Sequence, residues 1–294
     1  MTRLFICILV LSCTLLSSVE RIPADCQWLV QIDAQAIFKS KVGEWIGQQM
    51  VKQPHAARLQ MLQAISGLDL RRDIRSVTLC GVGADDDTGL VLVRGTFDAA
   101  RIEMVAQAAD GHLALPVGSR TIHTWLDKGK PAAGCLVASD LLVLAKTSTR
   151  IRDLIAAVDV GRDEVSGIVT PAGWEKSALM LGAAEQIADL AAGKPESAML
   201  RNVRSLSVRI VEEGTDLVVE GRAIAASEAA AQQLLDAGRG LVALVQLQRP
   251  DHLDPSLLTA IHNAKMSREG PAVTIRVGLA AADALRVIEQ GRAR

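Results

Sequence analysis

One unit of text occurs twice in this chain, and that constrains its fold more than anything else in the sequence. Arg75-Ser76-Val77-Thr78-Leu79-Cys80-Gly81-Val82-Gly83 is followed, after an acidic turn, by Thr88-Gly89-Leu90-Val91-Leu92-Val93-Arg94-Gly95-Thr96-Phe97 and a helical segment. Much the same order returns as Arg204-Ser205-Leu206-Ser207-Val208-Arg209-Ile210-Val211, a turn, Thr215-Asp216-Leu217-Val218-Val219-Glu220-Gly221-Arg222 and an alanine-rich helix. Each copy reads as a hairpin feeding a helix. Laying Leu142-Val143-Leu144-Ala145-Lys146 over Ala272-Val273-Thr274-Ile275-Arg276 also brings the helix containing Ile155 and Val158 over the one containing Leu285 and Ile288. That interval is almost the same as the one between the hairpins. A chance match at one place would not produce the other, so the chain contains an internal duplication.

With 294 residues there is room for two units, each with its own core. Apolar residues make up 49% and charged ones 22%, close to the usage of packed globular proteins. The net charge of -1 gives no reason to expect a polyanion, so a nucleic-acid partner is disfavoured. Aromatic residues are only 2% of the chain, which also argues against base-stacking platforms and broad sticky surfaces.

The amino terminus has one early positive charge, Arg3, an apolar run from Leu4 to Leu16, and small residues after it. This is the layout of a secretory signal with cleavage near Ser18 or Val19, and the run is short for a bilayer span. An uncleaved anchor and a lipoprotein box ending at Cys13 are the alternatives, although the run stays apolar beyond Cys13. The expected location is the periplasm or cell surface, with no integral membrane span in the mature chain. Cys26, Cys80 and Cys135 then remain, allowing one disulfide and a free thiol or none. Cys80 and Cys135 lie in apolar strand-like runs, where an unpaired cysteine acts as a small hydrophobe. Their spacings fit neither a zinc site nor a redox pair.

The predicted organisation is a signal peptide at 1–19, a first α+β unit at 20–160, a polar Gly- and Pro-containing linker at 161–175 and a shorter second unit at 176–294. Each unit is expected to be an antiparallel sheet with helices packed on one face, the two possibly joined side by side. The approach Pro23-Ala24-Asp25 to a strand ending in Asp33, the segment Gly67-Leu68-Asp69-Leu70-Arg71-Arg72-Asp73-Ile74 and the stretch Gly89 to Asp98 carry a resemblance over nearly the whole mature chain. They resemble a family of exported, functionally uncharacterised two-repeat bacterial proteins typical of planctomycete-type genomes. That resemblance implies an exported two-repeat fold and no site residues.

Neither copy carries a set of residues that a particular chemistry requires. Asp85, Asp86 and Asp87 with Thr88 and Gly89 form the best metal candidate, since calcium takes several oxygens from a turn, but the spaced ligands of an EF-hand are missing. The five histidines show no HExxH pair, although His112 and His123 can approach on neighbouring strands. No GxSxG elbow surrounds a serine. Gly81-Val82-Gly83 lacks the third glycine of a dinucleotide loop, and Gly129-Lys130 and Gly193-Lys194 are each followed by proline rather than Ser or Thr. Arg71-Arg72 beside Asp69 and Asp73 reads as a solvated loop with local ion pairs rather than an anion site.

The sequence therefore predicts no cofactor, no catalytic residue and a non-enzymatic exported protein, first as a module binding an unidentified envelope protein. A small-molecule or lipid carrier with a pocket between helices and sheet is the alternative. An enzyme with a site assembled only in the fold is third. For the acidic turn, replacing all three aspartates is expected to leave the melting temperature unchanged with and without calcium; a calcium-dependent rise in the unmodified chain alone would make it a metal site.

Overall fold

In the computed structural model the described residues are 22–52, 55–83, 85–159, 178–187, 200–248 and 253–292. The first half runs β1 (Trp28–Asp33), α1 (Ala34–Lys39), α2 (Lys41–Lys52), α3 (His55–Ser66), α4 (Leu70–Asp73), β2 (Ile74–Gly81) and β3 (Leu90–Gly95). It continues with α5 (Ala99–Gln107), β4 (Leu113–Val117), β5 (Arg120–Asp127), β6 (Lys130–Ala138), β7 (Leu141–Ala145) and α6 (Ser148–Asp159). The second half contains β8 (Met180–Glu185), β9 (Val203–Glu213), β10 (Asp216–Ala225) and α7 (Glu228–Gln248). It closes with α8 (Pro255–His262), β11 (Lys265–Glu269), β12 (Ala272–Ala280) and α9 (Ala281–Arg292). The expected linker and the expected cleavage site at Ser18 and Val19 lie outside the described residues.

The class is α+β, as expected. Among the described residues all strands join one antiparallel sheet of 12 strands in the order β11-β12-β10-β9-β8-β1-β2-β3-β7-β6-β5-β4. The halves meet where β1 pairs with β8, Leu29 opposite Ala183, Val30 opposite Gly182 and Gln31 opposite Leu181. Laying Ser76 over Ser205 carries Cys80 onto Arg209, and the flanking registers then carry Leu29 onto Leu181 and Gln31 onto Ala183. The central pairing is thus symmetric about Val30 and Gly182. The same registers place Val143 over Thr274 and Leu141 over Ala272, one residue away from the overlay of Leu142 on Ala272 read from the sequence. In a strand one residue is a change of face, so the pairing decides what the text left ambiguous.

Local chemistry sets the element boundaries. The Asp33 carboxylate accepts from the Ala36 amide and starts α1, and Asp98 accepts from Ala100 and Arg101 at the start of α5. Lys128 and Gly129, at φ 53° and 78°, make the two-residue turn between β5 and β6. α7 runs unbroken through Gly238-Arg239-Gly240 despite its two glycines.

Helix cover is divided between the two faces. Ile151, Leu154 and Ile155 of α6, each at most 2% exposed, pack with Leu29, Cys80, Leu90, Leu92, Cys135 and Val143. α5 and α7 lie on the opposite face, and the Lys41 amide at the start of α2 takes the carboxylate of Glu212, which projects from that opposite face. On β2 the deeply buried set is Ser76, Thr78 and Cys80, while Val77 and Leu79 are half-buried. The more apolar pair, Val77 and Leu79, is thus the less buried, because α6 arrives from far along the chain to cover the other face. In the second half the positions matching Cys80 and Leu90 are Arg209 and Glu220, which pair at 2.9 Å. Arg276 joins them, reaching Glu220 at 3.3 Å and also Glu213. The first half buries oil where the second carries charge.

Asp254 caps α8 and ties it to α9. Its carboxylate accepts from the Ser256 hydroxyl and amide and from Arg286, and these donors hold its pKa at about 2. A depressed carboxylate stabilises the fold above its unfolded value and stops doing so as the pH falls through the folded one. Asp254→Asn is therefore expected to lower the melting temperature at pH 7. The difference between the two proteins should close as the pH falls from 3.8 toward about 2.

Candidate functional site

A cavity of about 670 Å³ lies between the α5 face of the first half and the helices above it. Its floor comes from alternate residues of three neighbouring strands: Thr121, His123 and Trp125 on β5, Leu136 on β6, and Leu142 and Leu144 on β7. Its roof is Ile102, Val105, Ala106 and Ala109 from α5 and the following turn, with Gln63, Ser66, Leu68 and Leu70 at the side. The lining is mostly apolar and partly open to solvent. Ala99, Ala106 and Ala109 on the roof carry too little side chain to fill the space between α5 and the strands.

Glycine shapes the floor. A Cβ added to Gly134 would stand 2.9 Å from Leu144 Cδ2 and 3.1 Å from Trp125 Cη2, so only a bare backbone lets the indole lie there. Gly81 plays the same part beneath Trp28, whose ring edge would be 2.7 Å from a Cβ. The Trp28 indole donates to the Gly83 carbonyl and the Gly83 amide donates to Gln27, so Gly81-Val82-Gly83 is a seat for a tryptophan rather than a phosphate loop.

His123 lines the cavity and is buried, 8% exposed. Its Nδ1 stands 3.0 Å from Nε2 of His112, and the two rings stack with centroids 5.3 Å apart. Burial lowers the His123 pKa, the neighbouring His112 lowers it further, and Glu103 opposes both. The histidine pair that the sequence allowed on neighbouring strands is thus brought together. His262 ends α8 far along the chain, and His252 lies outside the described residues.

The other candidates remain separate from the cavity. Asp85, Asp86 and Asp87 sit in the β2–β3 turn, where Asp85 accepts from the Asp87 amide and Asp87 pairs with Lys146 at 3.6 Å. Among the described residues no three acidic, histidine or cysteine side chains stand together as a metal site. Arg72 is paired with Asp73 at 2.7 Å, and Arg71 lies over the Phe38 ring. Cys26, Cys80 and Cys135 are free thiols buried in one core. The Cys26 thiol, in hydrogen-bond contact, and burial push the Cys80 thiol far up, and burial pushes Cys135 up to about 11.

The sheet order and its helices place the chain among α+β proteins built on one broad antiparallel sheet, with helices lying across both of its faces. Within that class it is similar to TP0453. Crystal form III of that protein matches with a TM-score of 0.52 at 10% identity, over 92% of this chain and 96% of that one. Crystal form IV matches with a TM-score of 0.51 at 9% identity, over 92% and 95%. At such identity the likeness shows the fold alone. No protein-family model and no curated protein sequence matches the chain.

Sequence reasoning missed the cavity because no motif marks it. Its signal was the run of small residues along α5 opposite strands that keep Gly134 and Trp125, and that signal exists only once the pairing is known. For the thiols, chain beginning at Glu20 is expected to react with Ellman's reagent negligibly when native at pH 8 and at three sites once unfolded without reductant. A single reactive site in the unfolded state would reveal a bridge between two of them.

Proposed function

We propose that this chain is an exported, non-enzymatic carrier of an apolar small molecule or lipid, held between α5 and strands β5 to β7. The cavity carries this reading. At about 670 Å³ it falls within the roughly 300–1,000 Å³ typical of small-molecule sites, and its lining is apolar with a few polar groups, as such sites usually are. Each methylene moved from water into such a lining gains about 0.8 kcal/mol, enough for a long chain to be held by burial alone. Carriage also suits the chemistry. The hydrogen bond of His123 goes to another histidine, and among the described lining residues none is a nucleophile bonded to it.

The partner-binding reading rests on a different surface. Leu241, Leu244 and Leu247 near the end of α7 are 56%, 49% and 84% exposed, a row at helical spacing that an envelope protein can cover. It is the second reading, since single exposed leucines are ordinary on protein surfaces and a cavity of this size between packed layers is not.

Ala106→Trp tests the carrier directly, because the indole fills the space beneath α5. Affinity for a fluorescent apolar probe is expected to fall at least about tenfold, a loss of some 1.4 kcal/mol, with no fall in melting temperature. Equal binding by the variant and the unmodified chain would sink the proposal.

A further inference from the structure

The cavity has one polar end, and the charges around that end select among amphiphiles. The hydrogen bond between His123 Nδ1 and His112 Nε2 leaves His123 Nε2 with no protein partner among the described residues, on a ring that lines the cavity. A ligand atom brought to that nitrogen completes the pair. Glu103 lines the same cavity from α5, where its carboxylate accepts from the Gln107 side-chain amide and its charge acts on the His123 imidazole. Arg120 also borders the cavity, but its guanidinium is turned to the α6 face, where its Nε donates to the Val137 carbonyl at 2.7 Å and its NH1 to Asp159 at 2.7 Å.

A carboxylate or phosphate head would therefore meet the Glu103 carboxylate and no Lys or Arg free to pair with it among the described lining residues. Burying a charge without a partner is strongly unfavourable. A hydroxyl both donates and accepts, so it fits His123 Nε2 in either tautomer of the histidine pair. We infer that the ligand is an uncharged single-chain amphiphile, such as a monoacylglycerol or a long-chain alcohol, whose hydroxyl end sits at His123 and whose chain lies against Trp125 and α5. This rests on the carrier reading and narrows it to a substrate class. The volume suits one chain rather than several.

The test is calorimetric titration of the delipidated chain at pH 8 with monomyristoylglycerol, myristate and pentadecane, which share a tail and differ at the head. Monomyristoylglycerol is expected to bind at least about tenfold more tightly than myristate. Glu103→Gln, an exposed change that leaves the core alone, narrows that gap. His123→Phe weakens monomyristoylglycerol about two- to tenfold, the worth of one hydrogen bond, and leaves pentadecane unchanged. Myristate binding as tightly as the monoacylglycerol, or a gap that Glu103→Gln leaves untouched, would overturn the uncharged head and leave the carrier standing. Failure of all three to bind, pentadecane included, would overturn both.

Discussion

The pairing of β1 with β8 is the contact on which the rest of the molecule depends. Without it each half would end in an open strand, with a row of unpaired amides and carbonyls and half of its sheet neighbours missing. With it, Leu29 on β1 enters the core beneath α6, and the strands of both halves run on as a single surface. The pair is short, and glycine stands at its centre opposite Val30. Its strength comes from continuity on both sides, since β1 is also bonded to β2 and β8 to β9.

Upon that shared sheet the two halves do different work. In the first, strands β5 to β7 have the apolar residues of α6 below and α5 above, with a cavity beneath the upper helix. In the second, the space beneath α7 is only about 160 Å³, and Ala231 and Leu235 of that helix close against Ala225 and Val273. The strands that make the difference are β4 and β5. They extend the first half beyond β6 and have no counterpart after β11 among the described residues, so the cavity opens where the unrepeated β5 adjoins the repeated β6 and β7.

Much of this could be read in the sequence, and the rest was hidden for identifiable reasons. Short-range chemistry was legible: Asp33 and Asp98 cap their helices, the acidic turn joins β2 to β3, and the two hairpins match. Face assignment was not legible at β2, where Val77 and Leu79 look like the inward set but Cys80 and Thr78 are the deeper, because α6 reaches them from over sixty residues further on. The one-residue slip at β7 and β12 had the same origin, since only cross-strand pairing fixes register. His112 and His123 were recognised as possible neighbours, yet nothing in their spacing told that a cavity would open beside them.

The register at the centre of the sheet also carries a record of descent. A strand that pairs with its own equivalent about a common residue, Val30 facing the position that became Gly182, makes the contact two separate copies of one short chain would make across a dyad. Two copies joined end to end need not stay alike: among the described residues the second has no strands matching β4 and β5, and it carries Arg209 and Glu220 where the first has Cys80 and Leu90. A homodimer would be bound to carry two equal pockets; in this chain the cavity of about 670 Å³ lies in the first half and the space beneath α7 in the second is about 160 Å³.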